Sequence, residues 1–133
     1  MAENSKTVIV TGAARGLGQA YGWAFAEQGW RVVVADRDGL DQTMEGFQNP
    51  DNHLALPVDV ADIASVQAMV AGAIDKFGAV DALINNAGLY GALTGGRAED
   101  IDEEEWDRCM AVNVKGTWNC CRAIIPHMRS QTS

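Results

Sequence analysis

Apolar residues along this chain alternate between two periods. Thr7-Val8-Ile9-Val10 is a near-continuous β-branched run, so residues 6–11 are expected to form a strand buried on both faces. Behind it Leu17, Ala20/Tyr21, Ala24/Phe25 and Gln28 recur at helical spacing, and Gly29 suits the position just past a helix end. A second buried strand, Trp30-Arg31-Val32-Val33-Val34-Ala35, runs into Asp36-Arg37-Asp38-Gly39. Residues 40–48 carry a weaker helical pattern, and Asn49-Pro50-Asp51-Asn52 reads as a turn. His53-Leu54-Ala55-Leu56-Pro57-Val58 predicts a third strand, which its proline confines to a sheet edge or a strand end.

The second half repeats the alternation. Asp62 is placed to cap a helix with Val66, Met69/Val70, Ala73/Ile74 and Phe77 on one face and Gly78 at its close. Asp81-Ala82-Leu83-Ile84 predicts a fourth strand, leading into Asn85-Asn86-Ala87-Gly88 and a loop with Gly91, Gly95 and Gly96. Asp102 and Glu105 have capping-box spacing ahead of a last helix, whose inward stripe is expected at Trp106, Met110, Asn113, Thr117, Cys120 and Ile124. Gly116 lowers helix propensity there by about 1 kcal/mol, which suggests that something approaches the helix closely. Pro126 is expected to end or kink the helix, having no N–H for the Arg122 carbonyl.

Four strand–helix repeats with short links predict a parallel sheet with helices on both faces, a three-layer α/β fold. Right-handed crossovers give it a doubly wound topology with strand order 3-2-1-4. The carboxyl ends of strands one and four then flank the switch point, where ligands bind in such sheets.

Composition narrows the class. A chain of 133 residues, 47% hydrophobic and 21% charged, suits one globular domain with its own core. The net charge of −8 argues against a nucleic-acid-binding surface, which would need a basic stripe. Much of the excess lies at Glu99, Asp100, Asp102, Glu103, Glu104, Glu105 and Asp107, where carboxylates suit a solvated helix start better than a metal site. Cys109, Cys120 and Cys121 match no zinc or redox spacing, and three unpaired thiols suit a reducing compartment. The residues at the N-terminus lack signal-peptide form and no 18-residue apolar run occurs, so the expectation is a cytoplasmic protein with no membrane span.

The candidate chemistry begins at Thr11-Gly12-Ala13-Ala14-Arg15-Gly16-Leu17-Gly18, between the first strand and the first helix. A helix N-terminus offers unpaired N–H groups and positive dipole, and glycines let backbone approach an anion. Three glycines also suit a tight strand–helix turn, and no Lys-Ser/Thr pair follows to make a P-loop. Asp36 changes the balance. It ends the second strand eighteen residues beyond Gly18, where a carboxylate can accept from both hydroxyls of an adenosine ribose. Its charge repels a 2′-phosphate and so favours NAD over NADP, whereas Arg15 beside Gly16 pulls the other way.

With Asp59-Val60 and Asn85-Asn86-Ala87-Gly88, these residues resemble the short-chain dehydrogenase/reductase family. Its Thr-Gly-x-x-x-Gly-x-Gly and Asn-Asn-Ala-Gly motifs are both matched completely, and the resemblance spans residues 7–128. It implies a Rossmann-type fold in which Gly12, Arg15, Gly16, Leu17 and Gly18 cradle the pyrophosphate. It also implies that Asp59 bonds the adenine amino group, that the Val60 backbone meets the ring, and that Asn86, Ala87 and Gly88 line the ribose. Asn113 matches a family asparagine that bends its helix, holds a water and links it to the catalytic lysine. His53 and His127 read as surface or turn residues.

The same family carries a Ser and a Tyr-x-x-x-Lys pair that act on the alcohol or carbonyl oxygen. Tyr21 and Tyr90 have no Lys four residues on; Phe25 and Thr94 stand there. Residues 1–133 therefore read as the NAD(P)-binding half of an NAD-dependent alcohol/ketone oxidoreductase, stopping before a fifth strand. The alternatives are a non-catalytic NAD-binding sensor or scaffold, or an inactive fragment. An isolated half would leave strand four as an apolar edge. The resemblance also implies an oligomer surface on the outward face of the last helix, where Trp118, Cys121 and Ile125 suggest apolar exposure, so a homodimer or homotetramer is expected of the whole enzyme.

Overall fold

A computed structural model describes residues 5–91 and 93–131. Strand β1 (Thr7–Thr11) leads into helix α1 (Gly16–Glu27), and β2 (Arg31–Asp36) into the short α2 (Asp41–Glu45). Strand β3 (Leu54–Pro57), helix α3 (Ile63–Phe77) and β4 (Ala82–Ile84) follow. Helices α4 (Glu103–Met110) and α5 (Gly116–Ser130) are joined by a π-helical turn, Ala111–Lys115. The strands form one parallel sheet in the order β3-β2-β1-β4, as the alternation of periods predicts. Val8 pairs with Val32 on one side and Ala82 on the other, which makes β1 central.

Because side chains alternate along a strand, the continuous apolar runs of β1 and β2 feed two separate layers. Ile9, Val33 and Ala35 pack with Val66, Met69, Val70 and Ala73 of α3 and Cys120 and Ile124 of α5. Val8, Val10, Val32 and Val34 pack on the other side with Phe47 and with Trp23, Phe25 and Ala26 of α1. Asp62 caps α3 by accepting from the Ala64 N–H at 3.0 Å, and Gly78 closes it at φ 82°, both as expected.

Several local expectations fail for identifiable reasons. In α1 the buried face is Gly18 and Gly22, while Leu17 is 67% and Tyr21 39% exposed. A Cβ on Gly22 would stand 3.2 Å from Val34 Cγ1, so the helix lies close enough to the sheet for glycine to form its contact face. An apolar stripe cannot reveal a face made of glycines. In the last helix the π turn adds a residue to one turn and shifts the phase. Cys120 and Ile124 are buried as expected, but Gly116 and Asn119 join them, while Asn113 and Thr117 are exposed, Met110 is 41% exposed and Trp106 is 56% exposed.

Pro126 does not end α5, which continues to Ser130. Pro126 and Arg122 are both exposed, so the missing hydrogen bond falls on the water-facing side, where solvent can satisfy the carbonyl. The capping box does not form: Asp102 makes no side-chain cap bond, and the Glu105 carboxylate accepts from the Thr94 N–H instead. His53 is a core residue at 7% exposure, not a surface one. Its Nδ1 accepts from the Val32 N–H at 3.1 Å and its ring stacks on Phe47, satisfying backbone beside the edge strand. His127 is half-buried.

Candidate functional site at the switch point

The carboxyl ends of β1 and β4 converge on Thr11. Its hydroxyl oxygen accepts from the Asn86 and Ala87 N–H groups, each at 3.1 Å. The Asn86 amide then donates to the Gly12 carbonyl at 3.1 Å. This ties the turn after β1 to the turn after β4, and it explains an Asn at 86: one short side chain reaches an otherwise unsatisfied loop carbonyl. A Cβ on Gly18 would collide with the Gly12 carbonyl oxygen and stand 2.5 Å from Asn86 Nδ2. Gly12 lies at φ 66°, and a Cβ there would meet Ala87 Cα at 2.8 Å. Gly12 and Gly18 are thus packing glycines.

Gly16 differs. Its φ is 58° and nothing lies within 4 Å of where a Cβ would be, so this face of the loop is open. Arg15 stands at the N-cap of α1 with an extended backbone and gives no side-chain cap, and no acidic residue occupies the first turn. The N-terminus of α1 is therefore an uncapped positive end beside exposed Gly16 and Leu17.

Side chains from three elements hold the loop in shape. The Ala13 N–H donates to the Ala35 carbonyl at 3.1 Å, and the Thr43 hydroxyl donates to the Ala13 carbonyl at 2.8 Å. Gln19 Nε2 donates to Thr43 Oγ1 at 2.9 Å and to the Ala14 carbonyl at 3.3 Å. Asp36 Oδ2 accepts from the Ala14 N–H at 3.0 Å and Oδ1 from the Arg37 N–H at 2.7 Å. Thr43 and Gln19 escape sequence reasoning because each is a common polar residue in a helical segment, with no motif to mark it.

Beyond Asp36 a cavity of about 340 Å³ is lined by Arg37, Pro57, Val58, Asp59, Ser65 and Ala68. Asp59 shapes its floor by accepting from the Ala61 N–H at 3.1 Å, while its own N–H donates to the Ser65 hydroxyl at 2.9 Å. Val60 turns inward and is buried against α5.

Asn113 lies on the π turn and reaches Leu89 with both ends of its amide. Oδ1 accepts from the Leu89 N–H at 2.6 Å, and Nδ2 donates to the Leu89 carbonyl at 2.9 Å and to Cys109 Sγ at 3.2 Å. It is exposed rather than inward, and a Cβ on Gly88 would stand 3.5 Å from its Oδ1. The structure thus brings Gly12, Gly18, Asn86 and Ala87 into direct contact, sets Asp36 against Ala14, and places Asn113 beside Gly88. Among the described residues no group of three or more His, Cys, Asp or Glu could hold a metal ion. All three cysteines are free, with Cys120 buried and Cys121 half-exposed, as adjacent helical positions require.

The family model for short chain dehydrogenases matches residues 6–133. The 2-(R)-hydroxypropyl-CoM dehydrogenase of Xanthobacter autotrophicus is 39% identical over 131 residues, 96% of this chain and 52% of the relative. The 3-ketoacyl-(acyl-carrier-protein) reductase of Brucella melitensis, solved with NADH, is 39% identical with a TM-score of 0.85, covering 92% of this chain and 50% of that one. The actinorhodin polyketide ketoreductase, solved with NADPH, is 27% identical with a TM-score of 0.86, covering 95% of this chain and 50% of that one. The chain spans about half the length of the relatives it matches. With a sheet ordered β3-β2-β1-β4, and with both glycine-bearing turns joined through Thr11 and Asn86, this chain belongs to the short-chain dehydrogenase family.

Proposed function

We propose that residues 1–133 form the nicotinamide-dinucleotide-binding half of an oxidoreductase acting on an alcohol or ketone, with NAD preferred over NADP. The observation that carries the proposal is the pairing of an uncapped α1 N-terminus with the Asp36 carboxylate, held at 3.0 Å from the Ala14 N–H. The residues fit such a group. Packing glycines at 12 and 18 draw the loop in, and Gly16 leaves its outer face open to a pyrophosphate.

Arg15, Gly16 and Leu17 would hold the pyrophosphate, Asp36 the adenosine ribose, and Asp59 with the Val60 backbone the adenine. Asn86, Ala87 and Gly88 would lie against the second ribose. When bound, the nicotinamide supplies hydride-transfer chemistry. Asn113 in this proposal orders the Gly88–Leu89 backbone beside the reacting groups. NAD is preferred because a 2′-phosphate would meet the Asp36 charge, and like charges brought together cost kcal/mol.

The partner surface we propose is the outer face of α4 and α5, which suits a homodimer or homotetramer. A cavity of about 480 Å³ there is lined by Asp107, Met110, Ala111, Val114, Lys115 and Trp118, and Trp118 is 55% exposed. Free thiols at 109, 120 and 121 support a reducing, cytoplasmic setting. No helix among the described residues is long and apolar enough to cross a membrane.

The test is calorimetric titration of the chain with NAD and with NADP. Saturable binding of both, tighter for NAD, is expected. Absence of saturable binding to either would overturn the proposal.

A further inference from the structure

Val60 is held against α5 in a manner that the sheet itself does not require. A Cβ on Gly116 would stand 2.6 Å from Val60 Cγ2 and 3.0 Å from Val60 Cβ, so the valine sits in a notch that only glycine leaves. One turn further along α5, Asn119 is completely buried and its Nδ2 donates to the Val60 carbonyl at 2.8 Å. The other end of the same amide is engaged as well. Oδ1 accepts from Arg122 Nε at 3.1 Å and from Arg122 Nη2 at 2.7 Å. The Arg122 guanidinium lies 3.9 Å from the centre of the Trp118 ring, on the outer face of the helix.

The orientation of the Asn119 amide is therefore determined. A guanidinium can only donate, so it fixes Oδ1 outward and turns the two Nδ2 hydrogens toward Val60. The Val60 carbonyl can only accept, so both partners demand the same orientation, and Arg122 anchors the outer end of the amide. The Val60 peptide in turn adjoins Asp59, which lines the 340 Å³ cavity beyond Asp36. Backbone on the two sides of Asp59–Val60 is fixed by different elements: Ser65 of α3 accepts from the Asp59 N–H, and Asn119 of α5 donates to the Val60 carbonyl.

We infer that Asn119 is a positioning residue for adenine recognition. Oriented by Arg122, it holds the Asp59–Val60 backbone where the edge of the base is read. The inference rests on the dinucleotide reading of the site. It adds that selectivity for the base depends on a residue of α5 that touches no ligand.

The experiment compares NAD with nicotinamide hypoxanthine dinucleotide, in which a carbonyl replaces the adenine amino group and N1 carries a hydrogen, so that donor and acceptor are exchanged along that edge of the base and the ribose and pyrophosphate are kept. The wild-type chain is expected to prefer NAD by at least about tenfold, the scale of a hydrogen bond lost at the base edge. Asn119→Asp keeps the shape and the Arg122 contact but removes the donor to the Val60 carbonyl, and it should bring the ratio of the two dissociation constants toward one. Arg122→Gln, which shortens the side chain away from the Asn119 Oδ1, should lower the ratio part of the way by releasing the amide.

A merely structural role would weaken both dinucleotides equally and leave the ratio unmoved. An unmoved ratio in Arg122→Gln and in any folded Asn119→Asp overturns the inference. So does a wild-type chain that binds both dinucleotides equally. A wild-type chain that binds neither overturns the dinucleotide reading, and this inference with it.

Discussion

Asp36 accepts from the Ala14 N–H at 3.0 Å, so the carboxylate at the end of β2 is anchored by the glycine loop that follows β1. One oxygen is committed to that loop and the other to the Arg37 N–H, which fixes the carboxylate plane. Replacing Asp36 with Ala removes the negative charge that a 2′-phosphate would meet. The affinity for NADP relative to NAD should rise at least about tenfold, since like-charge contact costs kcal/mol. Competitive titration reads the ratio, and an unchanged preference would remove Asp36 from the cofactor assignment.

The two inner glycines and the outer one should respond differently to alanine. Gly18→Ala drives a Cβ into the Gly12 carbonyl, and relief requires backbone movement costing about 1–3 kcal/mol or more. Gly16→Ala meets nothing within 4 Å and pays only for a left-handed backbone, about 1–2 kcal/mol. Thermal denaturation should show the larger loss of Tm for Gly18→Ala. Equal losses would mean that the loop does not pack on Asn86.

Asn113 holds Leu89 from both sides of one peptide-like amide. Asn113→Ala should accelerate hydrogen exchange at the Leu89 N–H while costing only about 1 kcal/mol of stability, because the site is exposed. Exchange unchanged at Leu89 would show that the loop is ordered by something else.

His53 links stability to pH. Burial holds its imidazole below the ordinary value of 6.5, and the neutral ring accepts the Val32 N–H through Nδ1. The folded state therefore binds the proton less readily than the unfolded state. The contribution is fully present above pH 6.5 and is lost as pH falls through the lower folded pKa. Denaturation midpoints should fall between pH 7 and pH 5, and His53→Gln should flatten that slope. The same slope in the variant would assign the effect to other groups.

Strand order and most element positions are legible in the chain because they follow from the period of each segment and from right-handed crossovers. Buried parallel strands need continuous apolar runs, Asp62 needs only the next turn to act as a cap, and Gly78 needs only its own backbone freedom. Thr11, Gly12, Gly18 and Asn86 stand out because they belong to two complete motifs at strand ends, and Asp36 because it ends the second strand eighteen residues beyond Gly18. Asn119, Thr43 and Gln19 do not stand out, since a buried amide or hydroxyl is recognisable only by the carbonyl it meets, and Val60 lies 59 residues from Asn119.

The sequence by itself determined the period of each segment, and through it the parallel sheet, its two apolar layers and the glycine turn at its centre. Only the tertiary structure decided which face of a helix turns inward. In α1 the closest approach to the sheet is made by glycine, with Trp23, Phe25 and Ala26 packed beside it, and in the last helix a π turn shifts the phase so that Asn113 reaches Leu89 and Asn119 reaches Val60. Hydrophobic periodicity registers where apolar surface is spent, whereas close backbone approach and a single inserted residue leave no mark on it.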